Sequence, residues 1–185
     1  MAVSRKNFQA MVWLGLIEDQ CSMAITIQQA NIEAIQAEKA AEDFYLGLAF
    51  KFRAEPEVAA FWQQFATEEA KHAEWLKDMI GHLDKQELEK PVNTQTEQMI
   101  YKIGLLSVEK LLASVHDLED AFKIATSLEN GETNTVFCFL INNFEVDGHI
   151  RDFLLAQLAQ HISRLSTNLP LPCRNPTSRQ AISAL

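Results

Sequence analysis

Apolar residues recur at three- and four-residue steps along four long stretches of the chain, the period of a helix with one buried face. The first stretch covers about residues 22–53, and its apolar face reads Ile27, Ala34, Ile35, Ala41, Tyr45 and Leu48. Ala54-Glu55-Pro56 interrupts it. Pro56 suits the first turn of a new helix, where the N–H it lacks would have no intrahelical partner. The second predicted helix covers 56–80, with an inward row of Trp62, Phe65, Ala66, Ala73 and Leu76. A polar connector containing Pro91 follows, from 81 to about 96. The third predicted helix covers about 97–128, with Gly104 near its start, and Asn130-Gly131 stops it. The fourth covers 133–165. Residues 4–21 are expected to form a further helix that packs Phe8, Met11, Val12 and Trp13 on the rest. One domain is therefore expected over 1–165. The tail, 166–185, carries Pro170, Pro172 and Pro176 and reads as extended or disordered.

Connector lengths constrain the topology. The first and last loops are tight, so each joins antiparallel neighbours. The middle connector, roughly 16 residues, reaches about 50 Å if extended. That exceeds the second helix, about 38 Å long at 1.5 Å per residue. The third helix can therefore start parallel to the second. Two antiparallel hairpins joined by one crossover make an all-α, ferritin-like four-helix bundle.

Composition narrows the function classes. With 185 residues, 48% hydrophobic and 22% charged, the chain can bury a core of its own. A net charge of -9 excludes the basic stripe that nucleic acid requires, and it disfavours an anionic membrane surface. No segment is long and apolar enough to span a bilayer. Three scattered cysteines, Cys21, Cys138 and Cys173, form no CxxC pair, so no zinc knuckle or rubredoxin-like module is present. The cysteine usage points to a cytoplasmic protein.

An internal repeat runs at an offset of about 77 residues. It sets Glu42-Asp43-Phe44-Tyr45 on Glu119-Asp120-Ala121-Phe122, Glu68 on Glu145 and His72 on His149. The two halves then read as related helical hairpins.

The first half carries the chemistry. Glu69 and His72 lie three residues apart, on the core face of the second predicted helix. Glu38 sits on the apolar stripe of the first, between Ile35 and Ala41, with Glu42 one turn on. Buried carboxylates need compensation by a proton, a cation or hydrogen bonds. Glutamate oxygens with an imidazole nitrogen suit iron or manganese, and also zinc. One Glu on a helix and Glu-x-x-His on its partner are half of a di-metal carboxylate site.

The stretches AEKAAEDFYLGLAFKF and PEVAAFWQQFATEEAKHAEWL resemble the first half of a rubrerythrin-like protein of the ferritin-like superfamily. Glu38 stands seven residues before Tyr45, and Glu68-Glu69-Ala70-Lys71-His72 matches the family's EExxH pattern. The resemblance implies two iron ions and reaction with oxygen or peroxide. It implies Glu38, Glu69 and His72 as ligands and Tyr45 as a buried hydrogen-bond donor.

By the repeat, the ligand positions of the second half fall on Val115 and Val146, and only His149 remains. Glu119, one turn from Val115, is the substitute expected to join it. Glu42 would then support the ligands from behind. Two function classes follow. One is a metal-dependent oxidase or peroxidase with an incomplete di-metal site, served by a separate electron donor. The other is a metal-free bundle that acts as a binding or assembly module. A homodimer in which each chain donates Glu38, Glu69 and His72 is a third route to six ligands.

Overall fold

A computed structural model describes residues 24–103, 107–131, 140–141 and 148–167. The expected helix over 4–21, most of the tail, Gly104, Val146 and the first part of the fourth expected helix lie outside the described residues. The described elements are helical: α1 (Ile27–Lys51), α2 (Pro56–Gly81), α3 (Lys85–Leu88), α4 (Thr94–Ile103), α5 (Val108–Ser114), α6 (Leu118–Glu129) and α7 (Gly148–Thr167). Residues 140 and 141 are helical too. Among the described residues, no helix is long and apolar enough to cross a membrane.

Local chemistry sets the boundaries of the first hairpin. Thr26 caps α1 with a reciprocal pair of bonds: its hydroxyl accepts from Gln29 N–H, and the Gln29 side chain accepts from Thr26 N–H. Pro56 opens α2 as expected from sequence. Asn31 near the start of α1 donates to the Leu76 carbonyl near the end of α2, so the two helices run antiparallel.

The connector departs from expectation. In place of a loop over 81–96 and one long third helix over 97–128, it runs from His82 to Asp117 and holds three short helices. The sequence contains the reason. Asp84, Ser107 and Asp117 each accept a backbone N–H from three residues on, and each such cap starts a new helix. Val92 and Ile27 exchange backbone bonds with Ile25 and Lys90, which ties the connector to the start of α1.

Two apolar layers show how the elements are stacked. One, beside the α1–α2 turn, joins Phe44, Tyr45, Leu48, Val58, Trp62 and Phe65 to Val115, Ala121, Phe122, Ala125 and Leu165. The other, at the far end, joins Ala30, Ala34, Ala37 and Leu76 to Ile100, Leu140, Ile141 and Leu158. Ile100 of α4 lies in the far layer, and Val115, just after α5, in the near one. The connector therefore crosses the bundle lengthwise. α6 starts in the near layer, parallel to α2, and α7 returns to it at Leu165. This is the two-hairpin, one-crossover order of a ferritin-like bundle.

Candidate metal centre

Between the two apolar layers the bundle buries acid and imidazole. Glu38, Glu69, His72, Glu129 and His161 are each less than a twentieth exposed, and His161 is 1% exposed. Each lies on the apolar stripe of its helix, one or two turns from core neighbours, so core packing aims it inward.

Glu69 occupies the middle. One of its oxygens, Oε2, lies 2.9 Å from His72 Nδ1, which is also 3.5 Å from Glu38 Oε2. Its other oxygen, Oε1, lies 3.6 Å from His161 Nε2, which is also 3.5 Å from Glu129 Oε1. The donors thus fall into two groups of three that share Glu69. Ligand atoms of Glu69, His72 and His161 all lie within 4.8 Å of one another, close enough to hold one ion. Tyr45, fully buried, donates from its hydroxyl to Glu129 Oε1 at 2.5 Å.

Electrostatics follow from burial. Desolvation raises Glu69 well above an ordinary carboxyl, and the nearby charges of Glu38 and Glu129 raise it further. Desolvation, and then the same three carboxylates, raise the Tyr45 phenol, so it stays protonated and remains a donor. Burial first, and the His72 ring second, push His161 down to about 3. Its imidazole is neutral at pH 7, the form that binds a metal.

The expected site residues divide into two sets. Glu38, Glu69 and His72 are brought together, and Tyr45 stands beside them. His149 and Glu119 are not brought to them, which corrects the expectation built on the 77-residue repeat. His149 is exposed in the first turn of α7. Glu119 lies in the first turn of α6 and pairs with Lys123 at the surface, 2.8 Å away. Val115 is core between α5 and α6 and occupies no ligand position. Glu42 is half-buried on α1 and, among the described residues, joins no ion pair with either buried histidine.

The repeat register fails because α6 starts at Leu118, and the centre lies at its far end. Glu129 and His161 are not among the residues expected from sequence, yet both carry a signal. Leu118, Phe122, Ala125 and Glu129 form one stripe, as do Leu158, His161 and Leu165. A lone Glu or His on such a stripe is the criterion that picks out Glu38.

In a di-metal carboxylate bundle, two helices each give a Glu and the other two each give Glu-x-x-His. Glu38, Glu129 and Glu69-x-x-His72 fill this pattern. α7 supplies His161, but Leu158 stands three residues before it, where the second Glu of the pattern would be, and is buried in the far apolar layer.

The donor set fits a metal. Three carboxylates and two imidazoles suit iron or manganese more than a soft metal. Both nitrogens of His161 are buried without a hydrogen bond, an expensive state that a cation relieves at the nitrogen without a proton. The nearby Arg164 is bonded to Glu68.

A bundle of crossover topology with carboxylates and imidazoles converging between its apolar layers defines a ferritin-like protein. The sequence model of the rubrerythrin family matches residues 32–133, more than half of the chain, and the chain belongs to that family. No curated protein and no solved structure matches it.

Proposed function

We propose that the protein binds iron at this centre and acts as an oxidoreductase toward dioxygen or peroxide. The observation that supports this reading is the buried meeting of Glu38, Glu69, His72, Glu129 and His161, with His161 left unbonded on both nitrogens. Glu38, Glu69 and His72 would hold one ion, and Glu69, Glu129 and His161 a second. Bound iron supplies electron transfer and Lewis acidity. The chain supplies the rest. The two apolar layers keep bulk water out. Glu69, whose burial favours its proton, would release it to solvent on binding an ion. Tyr45 orients Glu129 through its hydroxyl. Electrons would come from a separate donor protein.

One observation favours the rival reading of a metal-free binding or assembly module. Leu158 removes an acid from the pattern, and a protonated Glu69 can share its proton with a neighbouring acid or imidazole. Metal analysis separates the two. Protein produced with added iron or manganese should carry metal and melt higher than metal-free protein, with about 2.7 kcal/mol more stability at a hundredfold excess over Kd. Glu69→Ala and His72→Ala should lose both. Metal-free protein with an unchanged melting temperature after iron addition would support the rival.

A further inference from the structure

Away from the centre, the outer face of α1 is uncovered among the described residues. α1 packs its other sides on α2, α4 and α5. Ile32, Gln36, Lys39, Asp43 and Leu46 recur at steps of four and three along α1, so they share one face, and each is exposed. Phe50, one turn beyond Leu46, continues the row. Ile32 is 44% exposed, Leu46 38% and Phe50 69%. Among the described residues, these are three of the five large apolar side chains that face solvent. Exposed apolar groups gathered on one helix face mark a surface that a further segment or partner covers.

The chain itself supplies a fitting cover. Residues 1–23 precede the described part, and their sequence carries an apolar run from Ala10 to Ile17. Ala24 is exposed, just before the start of α1. Val92 N–H donates to Ile25 and Ile27 N–H to Lys90, which ties this point to the connector. The segment therefore leads into α1 at the Ile32 end of the exposed row. At helical rise, residues 3–21 span about 27 Å, the same as Ile32 to Phe50. In one antiparallel register, with the turn at Ala24 and Ile25, Ile17 falls on Ile32, Trp13 on Gln36, Lys6 on Asp43 and Val3 on Leu46. These segment residues, with Ala10 opposite Lys39, recur at steps of three and four and share one face. The charges agree as well. Arg5 and Lys6, the basic residues of the segment, come beside Glu42 and Asp43.

We propose that the segment from Val3 to Ile17 docks as a helix along the outer face of α1 of its own chain, antiparallel to it. Ile17 and Trp13 cover Ile32, and Lys6 pairs with Asp43. Docking removes the apolar run and the α1 row from water together, and each is costly to leave exposed. α1 carries Glu38, so the docked segment backs the helix that supplies one of the candidate donors. Docking needs no metal and stands or falls apart from the iron-binding reading.

The test uses the full chain carrying Cys21→Ser, Cys138→Ser and Cys173→Ser, with Ile17→Cys and Ile32→Cys added. Mild oxidation should link the two new thiols within one chain, seen as a shifted monomer band on a non-reducing gel and a loss of free thiol. Ile17→Cys with Phe153→Cys should stay unlinked. A linked dimer would put the segment on a second copy and overturn the proposal. So would the absence of any link, or an equal link to position 153. Hydrogen exchange of residues 8–17, with the native cysteines in place, is the second arm. Ile32→Asp should speed that exchange about tenfold, the worth of one large apolar side chain. Asp43→Lys should speed it less, and adding Lys6→Glu should slow it again. Residues 8–17 without protection in the wild type, or protection that Ile32→Asp leaves unchanged, would refute the docking.

Discussion

The two halves of the bundle contribute unequally to the same centre. The first hairpin is built from two long helices, α1 and α2, joined by a turn of Phe52 to Glu55. It supplies Glu38, Glu69 and His72, whose donor atoms already lie 2.9 and 3.5 Å apart around His72 Nδ1. The second half begins late, at Leu118, after a connector of short capped helices. It supplies Glu129 at the last residue of α6 and His161 on α7, with Leu158 where an acid would complete the pattern. The first half therefore brings three candidate donors together by itself. The second borrows Glu69, and its Glu129 accepts a hydrogen bond from Tyr45 of the first.

The largest effect should come from removing one histidine at a time. His72→Ala should weaken iron or manganese binding by more than the 10–100-fold typical of a supporting residue. His161→Ala should weaken binding less than His72→Ala does, since it belongs to the poorer half. Competition with a metal-sensitive dye measures both, and the reverse order would break the comparison.

Completing the weaker half is the complementary change. Leu158→Glu should raise metal content per chain in protein purified from iron-rich medium, as read by plasma emission. The same variant without metal should melt lower than wild type, because a further carboxyl has been buried without a partner. Lower melting with no gain in metal would show that Leu158 is core packing alone.

A smaller effect concerns protons. The folded state raises Glu69, so it holds a proton there that the unfolded chain releases near 4.5. Stability from this group is fully present below that value and is lost as pH rises toward the raised folded value. His161 works in the opposite sense. Pushed down to about 3, it stays neutral when folded, so stability falls as pH drops below 6.5, where the unfolded imidazole charges. Urea unfolding of metal-free wild type and Glu69→Gln separates the two. Wild type minus variant should decline as pH rises above 4.5, and a flat difference would contradict the shift. Metal entry should release the Glu69 proton, seen by calorimetry in buffers of different ionisation enthalpy.

The smallest effects are at the helix starts, one in each half. Thr26→Ala and Asp117→Ala should each cost about 1 kcal/mol in urea unfolding, the usual worth of a side-chain cap. Equal costs would show that the second half is as firmly built locally as the first, and that its weakness lies in its ligands.

Legibility in sequence follows the same division. In α1 and α2, apolar period, Pro56 and the inward acids all agree, so the hairpin and Glu38, Glu69 and His72 are readable directly. The expected connector length permits the crossover order without requiring it. Beyond Gly81 the local signals conflict. The apolar period runs on through 97–128, whereas caps at Ser107 and Asp117 cut it. Following the period displaces the register toward the start of α6 and selects Val115, Glu119 and His149. Weighing the caps first would begin the helix at Leu118 and carry its stripe to Glu129. The contact of Arg164 with Glu68 joins residues distant in sequence, and no periodicity shows it.

The centre itself is tested most directly by anomalous diffraction from iron-loaded crystals, with data on either side of the iron edge. Anomalous density is expected on both sides of the Glu69 carboxyl, one peak bounded by Glu38 and His72 and a second bounded by Glu129 and His161. No peak there, with iron found instead on surface groups such as His116 and Asp120, would contradict it.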